Sequence, residues 1–485
     1  MSERNKRAIR WGVLFLVSIV IASNYYVYDA MSSIKAVMQN ELGISSTDYG
    51  LIVSFYSFPN TFLLMTVFGG IILDRFGIRK TGLLFTLLCA LGAIFTAYGA
   101  SDIFRSGGPG YAFFGSFLTG YSPELKLMIL GRLLFGLGAE TSIVVINKIV
   151  VRWFRGKELA FAFALNLAVA RLGTALALIL SPILIETETG WTTALWVAAV
   201  TMGVGFLFFI IYTVAETRLY EKPQASSLLT ADERFNIRDI WALLKNKSFI
   251  LISLLCVTFY SAVFPFQAFC PDFLHNKFGL SLALSGRLTS MIIWGTILFT
   301  PLFGLYVDRK GKRATLMLFG SGMLMLVHLT LSLTSITPYI AMFVLGIAFS
   351  LVPSAMWPAV ARIVEEKRLG TAYGVMTSIQ NLGLFAFPIA AGMITDYVNA
   401  DTITRLLRSA ANAVPFMPDM FILGTPLTFV IAFLQAHGLE PATLDYTYTI
   451  LMFAGLGLIG FLFAFLLKRE DAKSGSYNLE LPELD

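Results

Sequence analysis

Glu140 and Arg171 are opposite charges that each lie within a long apolar stretch of the sequence. They stand 14 and 17 residues on either side of a short polar turn near residue 154. On two helices that leave this turn, a rise of about 1.5 Å per residue places each charge roughly 20 to 25 Å away from it. Arginine binds a carboxylate through two parallel hydrogen bonds, and glutamate accepts hydrogen bonds from an ammonium group. The spacing therefore predicts a cavity with one anionic and one cationic wall, suited to a zwitterion.

The distance between the charges of such a solute separates substrate classes. An extended chain spans about 3.3 to 3.6 Å per residue, so a dipeptide holds its terminal charges about one residue further apart than an amino acid does. Recognition of both termini leaves the side chains largely unread, which predicts a broad substrate range. The alternative is a buried ion pair between Glu140 and Arg171 that only fixes helix packing.

Six further residues are candidates for the walls of this cavity, because of helical spacing, an internal repeat or amphipathic aromatic character. They are Asn147, Asn381, Gln380, Tyr56, Trp357 and Tyr373. Asn147 follows Glu140 by seven residues and shares its helix face. Asn381 is the repeat counterpart of Arg171. Each of these side chains has an ordinary helix contact as its alternative role.

The elements that must position these residues are membrane helices. The chain is 56% hydrophobic and only 14% charged, which is too apolar for a soluble protein of 485 residues. About 20 apolar residues are needed to cross a bilayer, and a crossing segment must be helical because hydrocarbon offers the backbone no hydrogen-bond partner. Twelve spans are predicted, at residues 11–31, 49–73, 79–100, 126–150, 158–183, 191–214, 248–271, 283–306, 313–334, 337–362, 369–395 and 446–468.

The orientation of these spans follows from the distribution of lysine and arginine. Alternate connecting segments hold 26 of the 36 basic residues. These segments include both chain ends, so we predict that both termini are cytosolic. The net charge of +6 is then a topology signal and requires no nucleic-acid partner.

A repeat divides the chain into two halves of six spans. The segment Gly70–Lys80, GIILDRFGIRK, returns as Gly304–Arg313, GLYVDRKGKR, and Arg152–Gly173 returns as Arg362–Gly383. The offsets are 234 and 210 residues, so the first half carries about 24 extra residues between the two landmarks.

The expected domains follow from this repeat and from the polar segments between spans. They are a first half at 11–214 with an external insertion at 101–125, a cytosolic linker at 215–247, a second half at 248–468 with an external insertion at 398–445, and a cytosolic tail at 469–485. Within the second insertion, Met420 to Ala436 is apolar. We interpret it as a surface-lying or re-entrant segment, because a thirteenth span would carry Lys468 and Arg469 outside.

The repeated Gly-x-x-x-Asp-Arg-x-Gly turn resembles the signature of the major facilitator superfamily. The resemblance implies an all-α membrane protein with 12 transmembrane helices in two six-helix bundles and a solute site at the midplane between them. Charges at the turns are then gating candidates that can latch the bundles in one state: Asp74, Arg75, Asp308 and Arg309. Arg132 is a candidate for gating or structural pairing, and Asp29, near the outer end of the first span, is a candidate external gate.

Within that superfamily, the sequence resembles the lysosomal dipeptide transporters. The resemblance is carried by Trp153–Leu159, Tyr56–Asn60, Val263–Phe266, Trp357-Pro358, Leu369–Gly374 and Ser378–Gly383. In that family an acidic residue of the fourth helix and an arginine of the fifth bind the dipeptide termini, and these positions correspond to Glu140 and Arg171. The resemblance implies facilitated, uniport-like transport of dipeptides and no cofactor.

Two departures from that family bear on location. The lysosomal relatives have a longer cytosolic N-terminus with an acidic dileucine sorting signal, whereas this chain begins its first predicted helix almost at once. They also have a glycosylated lumenal partner, whereas the only Asn-x-Ser/Thr sequon here begins at Asn246, on the predicted cytosolic side. We therefore favour a prokaryotic plasma membrane over a lysosome. The external insertions are expected to cover the surface that the accessory glycoprotein occupies in the relatives.

Two alternative functions stay open on the sequence. One is a proton-coupled symporter of dipeptides or organic anions, in which Glu140 or Asp29 titrates. The other is a non-transporting receptor or scaffold with the same fold. An enzyme is not expected, because His275, His328 and His437 are scattered and no metal-ligand, phosphate-binding or nucleophile motif is present.

Overall fold

The computed structural model of the chain describes residues 3–154, 158–185, 190–219, 237–413, 443–475 and 477–482. All regular structure in these ranges is helical. The helices are α1 (Glu3–Asp29), α2 (Lys35–Leu42), α3 (Ser46–Ser54), α4 (Phe58–Phe62), α5 (Met65–Ala100), α6 (Asp102–Arg105), α7 (Tyr111–Gly115), α8 (Pro123–Phe154), α9 (Leu159–Leu184), α10 (Thr193–Leu219), α11 (Ile237–Lys245), α12 (Lys247–Phe278), α13 (Leu282–Lys310), α14 (Arg313–Leu333), α15 (Pro338–Ile363), α16 (Leu369–Ala413) and α17 (Thr447–Ser474).

Within the described ranges, eleven helical stretches are long and apolar enough to cross a membrane. The difference from the twelve predicted spans arises at the second, residues 49–73, which is helical but interrupted. It consists of α3, α4 and the beginning of α5. The chain then reverses at Gly77, whose φ of 80° breaks the helix, and the rest of α5 forms the third crossing.

The helices of each half pack mainly on one another, and the most extensive contacts between the halves are those of α3 with α16 and of α9 with α13. We call the side that carries the start of α1 and the end of α17 the terminal face, and the opposite side the far face. Asp29, Lys35 and Asp272 lie toward the far face, where α1 and α12 end.

Helix α16 extends beyond the end of its predicted span. It continues to Ala413, whereas the predicted span ended at residue 395. The sequence between Gly392 and Pro415 contains no glycine or proline, so nothing in it stops the helix.

The insertion at 398–445 is tied together at its base. The Asn399 amide donates to the Asp445 carbonyl over 3.0 Å, and the Asp445 N–H donates to Asn399 Oδ1 over 2.8 Å. The expected surface-lying segment between Met420 and Ala436 lies outside the described residues. The other insertion, 101–125, contains the short helices α6 and α7 and ends in the first residues of α8.

A close helix contact at Gly136 sets the distance between α8 and the segment that carries Tyr56. A Cβ atom at Gly136 would lie 2.0 Å from the Tyr56 carbonyl oxygen. The hydrogen atom of glycine is therefore needed for Tyr56 to approach the helix that carries Glu140.

We expect Gly136→Ala to lower the free energy of unfolding by about 1 to 3 kcal/mol, since the added methyl group has no room. The measurement is thermal unfolding of the detergent-solubilised protein. Gly203→Ala is the matched control, because a Cβ at Gly203 would meet nothing within 4 Å. Equal melting temperatures for the two variants would show that the close contact between Gly136 and Tyr56 does not contribute to stability.

Candidate functional site

Glu140 lies partly buried on α8, one turn beyond Gly136. Its carboxylate accepts a hydrogen bond from Asn60 Nδ2 over 3.3 Å. Among the described residues no lysine or arginine nitrogen lies within 4.0 Å of it. The carboxylate is thus held by a neutral amide donor.

Asn60 connects this carboxylate to the break between α4 and α5. Its Oδ1 atom accepts from the Thr66 N–H over 2.9 Å and from the Thr66 hydroxyl over 2.6 Å. The amide therefore replaces backbone bonds lost where Leu64 takes a positive φ of 49°. Because Asn60 also donates to Glu140, the interrupted helix positions the carboxylate.

In the sequence, Asn60 stood out only as part of a family motif and was not predicted to belong to the site. A usable signal was present. Pro59-Asn60 stands inside an apolar run, and an asparagine there tends to bond the backbone rather than continue a helix.

Arg171 lies partly buried on α9, the neighbour of α8 along the chain. Its guanidinium carbon stands 5.0 Å from the ring centre of Phe349 and 5.7 Å from that of Tyr25. Both distances fit a cation–π contact. Phe349 belongs to α15, so Arg171 reaches across to the other half.

Glu140 and Arg171 form no ion pair, since their charged atoms are more than 4.0 Å apart. Within the described part of the chain, Arg171 makes no hydrogen bond or ion pair. Its five N–H donors and the spare lone pairs of Glu140 remain available. The structure therefore contains two opposite charges that do not neutralise each other by direct pairing.

An aromatic wall connects the two halves beside these charges. The Tyr28 ring lies 4.6 Å from Tyr56 in the first half and 6.3 Å from Phe264 in the second. Phe264 in turn contacts Phe349 at 5.4 Å and Tyr260 at 5.7 Å. The ring on which Arg171 rests is therefore part of one continuous aromatic surface.

Trp357 and Tyr373 extend this surface within the second half. The Trp357 indole N–H donates to the Tyr260 hydroxyl over 3.0 Å. The Tyr373 hydroxyl donates to the Trp357 carbonyl over 3.2 Å, and the two rings lie 5.8 Å apart. Both aromatic candidates from the sequence are thus linked to the wall through Tyr260.

The three amide candidates have different surroundings. Asn147 is exposed two helical turns from Glu140, toward the terminal face. Asn381 is buried and donates to the Thr377 carbonyl over 3.0 Å, while its Oδ1 atom has no partner in the described structure. Gln380 accepts a weak hydrogen bond from the Cys256 thiol over 3.6 Å. Asn381 is the one of the three with a buried, unused acceptor.

Arg132 is almost fully buried inside the first half. It donates to the carbonyl oxygens of Val27 and Tyr28 over 3.3 and 3.4 Å, at the end of α1. Its guanidinium also lies over the rings of Tyr28, Tyr56 and Phe135 at 5.4 to 5.7 Å. Its described contacts all fall within one half.

Asp29, by contrast, is shared between the halves. Its carboxylate accepts from the Thr174 hydroxyl over 2.7 Å and from Gln267 Nε2 over 2.8 Å. Thr174 belongs to the first half and Gln267 to α12 of the second. The candidate external gate therefore lies on the closed junction between them.

A second junction on the far face was missed by sequence reasoning. The Lys35 ammonium and the Asp272 carboxylate form an ion pair of 2.6 Å with side-chain exposures of 0% and 2%. The Tyr446 hydroxyl donates to Asp272 and also lies 2.9 Å from the Lys35 nitrogen, and Gln39 accepts from Lys35. Lys35 lies in the predicted connecting segment after the first span, and Asp272 lies one residue beyond the predicted seventh span.

A third carboxylate closes the far face at the start of α3. Asp396 of α16 accepts from the backbone N–H groups of Ser46 and Thr47 over 2.9 and 2.7 Å, and from the Thr47 hydroxyl over 2.6 Å. These N–H groups have no partner inside their own helix, and the positive end of the helix dipole favours an anion. A residue of the second half thus caps a helix of the first.

On the terminal face, the motif charges do not join the halves. Asp74 pairs with Lys148 of its own half, and Arg75 lies over the neighbouring Phe76 ring at 5.5 Å. Asp308 and Arg309 are exposed, with no ion-pair partner among the described residues. The structure is therefore closed at the far face and has no described ion pair between the halves at the terminal face.

Comparison with known sequences shows two overlapping matches to the Major Facilitator Superfamily, at residues 14–388 and 266–483. The lysosomal dipeptide transporter MFSD1 of Bos taurus is 33% identical over 397 residues, which is 80% of each chain. The protein of the same name from Homo sapiens is 32% identical over 407 residues, or 82% of each chain. A probable sulfoacetate transporter SauU of Cupriavidus necator is 20% identical and covers 80% of this chain and 87% of its own.

Solved structures resemble the fold along nearly the whole chain. A single-site mutant of the nucleoside transporter NupG superposes with a TM-score of 0.68 at 15% identity, covering 94% of this chain and 99% of its own. A bacterial homologue of the human lysosomal transporter Spinster, inward-facing and unoccupied, gives a TM-score of 0.65 at 17% identity, covering 98% and 99%. At these identities the likeness concerns the fold alone, and it confirms the predicted fold class.

We expect Lys35→Met and Asp272→Leu, made singly, each to destabilise the closed far face by about 3 to 5 kcal/mol, because each leaves a buried charge unpaired. The double variant should recover most of this loss, since no charge remains. The measurement is labelling of Ser33→Cys by a membrane-impermeant maleimide, in a background without the three native cysteines. Ser33 is suitable because it is buried at the junction with Gly286.

Faster labelling in both single variants and near-normal labelling in the double variant is the expected pattern. The Glu41→Gln variant is the control, because Glu41 lies near this face with a side chain 49% exposed. If the single variants label no faster than this control, Lys35 and Asp272 do not hold the far face closed.

Proposed function

The chain belongs to the Major Facilitator Superfamily, and we propose that it is a broad-specificity dipeptide uniporter that works by alternating access. The sequence resemblance to this superfamily is confirmed. The protein is a multi-pass integral membrane transporter of small molecules and, as its relatives indicate, not an enzyme. The substrate, its coupling and the roles of individual residues are the subject of the proposal.

The observation that carries the proposal is the separation of Glu140 and Arg171. They come from adjacent helices of one half, and neither has an oppositely charged partner in the described structure. An isolated charge within a membrane is costly, so each charge calls for a counter-charge that arrives with the solute. A dipeptide supplies an ammonium group for Glu140 and a carboxylate for Arg171.

The aromatic wall around the charges accounts for the proposed broad substrate range. Tyr56, Trp357 and Tyr373 offer apolar ring faces with polar tips, which accept side chains of different shape without a dedicated partner. Asn381, Gln380 and Asn147 supply amide groups from both halves. The relatives at 32 to 33% identity are named dipeptide transporters, which supports the same substrate class.

The transport cycle follows from the two faces. With the far face closed, the solute is exchanged at the terminal face. Opening the far face requires Asp29, Asp272 and Asp396 to release their partners in the opposite half. We assign Asp74, Arg75, Asp308 and Arg309 to the closure of the terminal face in the other state, and Arg132 to holding the end of α1 during the movement.

The terminal face is assigned to the cytosol, because the basic residues are concentrated there. This places both termini inside the cell and the two insertions outside. We propose a prokaryotic plasma membrane as the location and the domain bounds given by the repeat. No accessory glycoprotein is required by this assignment.

We expect wild-type protein in proteoliposomes to show counterflow with an unmodified dipeptide and at least about tenfold less with its N-acetyl or C-amide form. Each modification removes one charge-assisted hydrogen bond, worth about 1.5 to 3 kcal/mol. Glu140→Gln should reduce transport of the unmodified dipeptide to the level of the N-acetyl form. Arg171→Gln should reduce transport of the unmodified dipeptide to the level of the C-amide form.

The crossed combinations make this test specific. Glu140→Gln should transport the N-acetyl dipeptide about as well as the unmodified one, yet still discriminate against the amide. Glu41→Gln and Arg105→Gln are controls, since both residues lie on the far face outside the site. If Glu140→Gln and Arg171→Gln both bind and transport dipeptides normally, the site assignment is wrong.

A proton-coupled symporter is the second candidate, favoured by the buried Asp29 carboxylate at the junction of the halves. A uniporter should show no uphill accumulation of dipeptide when only an inward pH gradient is imposed. We expect this result for the wild type, measured as radiolabelled dipeptide uptake in proteoliposomes. Accumulation that Asp29→Asn abolishes would decide for the symporter. Binding of dipeptides without any transport across the membrane would decide for the receptor or scaffold.

A further inference from the structure

Residues 477–482 fold back onto the terminal face of the second half, and we call this segment the brace. The N–H groups of Lys312 and Arg313 donate to the carbonyl oxygens of Glu480 and Leu479 over 3.1 and 3.0 Å. The brace therefore pairs its backbone with the turn between α13 and α14. That turn is the second copy of the glycine–aspartate–arginine motif.

Side chains reinforce this pairing. The Glu480 carboxylate accepts from the Thr315 N–H and the Thr315 hydroxyl, each over 2.8 Å. The Leu479 side chain is completely buried. Tyr477 accepts from Asn246 Nδ2 over 3.2 Å at the start of α12. The brace thus touches the ends of several helices of the second half.

Two arginines bind the backbone carbonyls of the brace. Arg313 donates to the Leu481 carbonyl over 2.9 Å. Arg362, at the end of α15, donates to the carbonyls of Asn478 and Pro482 over 2.9 and 3.0 Å. The brace therefore links α14 to α15 through carbonyl oxygens.

The repeat identifies the counterpart of this arrangement in the first half. Arg79 precedes Arg313 by 234 residues and Arg152 precedes Arg362 by 210, which are the offsets of the internal repeat. Arg79 and Arg152 donate to the two oxygens of one carboxylate, Glu216, over 3.0 and 2.7 Å. The Glu216 side chain is only 1% exposed.

We propose that the second half has a peptide-docking groove, formed by the Gly311–Arg313 turn, Thr315 and Arg362, whose occupant is the chain's own brace. The brace replaces the carboxylate that Glu216 supplies in the first half. The Glu216 side chain is attached to α10 and stays near its partners, whereas a peptide that follows the last helix can undock as a unit. Docking of the brace therefore controls how firmly the end of α13, which carries Asp308 and Arg309, is held.

Gly311 provides a variant that displaces the brace. A Cβ at Gly311 would lie 2.3 Å from the backbone carbonyl of Leu481, so alanine there expels the brace. Gly77 is the repeat counterpart of Gly311, and both have positive φ values, 80° and 68°. A Cβ at Gly77 would meet nothing within 4 Å, so Gly77→Ala also places alanine at a positive φ but displaces no peptide.

The experiment measures amide hydrogen exchange of residues 312–315 in the full chain by mass spectrometry. Gly311→Ala and Glu480→Ala should each accelerate this exchange about tenfold, because the N–H groups lose their brace partners. Gly77→Ala and Glu470→Ala are the controls, Glu470 being a surface partner of Lys247. A synthetic peptide of residues 475–485 added to Gly311→Ala should leave exchange fast, whereas added to a chain truncated after Ser474 it should restore protection.

Unchanged exchange in Gly311→Ala and Glu480→Ala, or no protection of the truncated chain by the peptide, would overturn the docking groove. The consequence for transport rests on the proposed function. Glu480→Ala should lower the rate of dipeptide counterflow about threefold at an unchanged half-saturating concentration. The reason is that a more weakly held turn between α13 and α14 slows the movement of the halves and leaves substrate binding intact. A normal rate despite fast exchange would overturn the control of transport. Absence of counterflow in the wild type would overturn the proposed function while leaving the exchange result valid.

Discussion

A charge inside hydrocarbon must find its partner in the protein or in a bound solute, because the lipid supplies none. This constraint sorts the buried charges of the transporter. Asp29, Asp272 and Asp396 each take at least one donor from the opposite half, and these donors are in place only while the far face is closed. Glu140 and Arg171 have neutral donors and aromatic rings as their described neighbours. The first group therefore contributes to closure of the far face, and the second is the pair that we propose binds a zwitterion.

The two halves share a repeat but contribute differently to the site. Arg171 has an uncharged repeat counterpart, Asn381, so both charges of the proposed site come from the first half. The second half contributes ring faces, with Phe349 under the Arg171 guanidinium and Trp357 and Tyr373 beyond it. A solute held by charge on one side and by rings on the other makes contact with both halves. Its binding can therefore differ between states in which the halves are differently arranged, as alternating access requires.

Sequence patterns predicted the helical class and the repeat, because both follow from apolar run length and local motifs. Glu140 and Arg171 stood out because a charge inside an apolar run is rare and costly. The interruption of the second span was not predicted, since hydropathy averages over Pro59 and Asn60 and does not register an amide that replaces backbone hydrogen bonds. The Lys35–Asp272 pair was also missed. The two residues are 237 positions apart, and each alone is typical of a loop near a span end.

The clasp between Asn399 and Asp445 has a practical meaning for experiments on this transporter. Its reciprocal bonds hold the returning chain at Asp445 against Asn399 of α16, so the segment that follows the extension of α16 rejoins the helical body at a fixed point. Chain length between such fixed points has little influence on the fold that holds them. The segment is therefore a natural position for a rigid fusion module or an epitope, which would give a small membrane protein the added mass and asymmetry that electron cryomicroscopy needs for particle alignment.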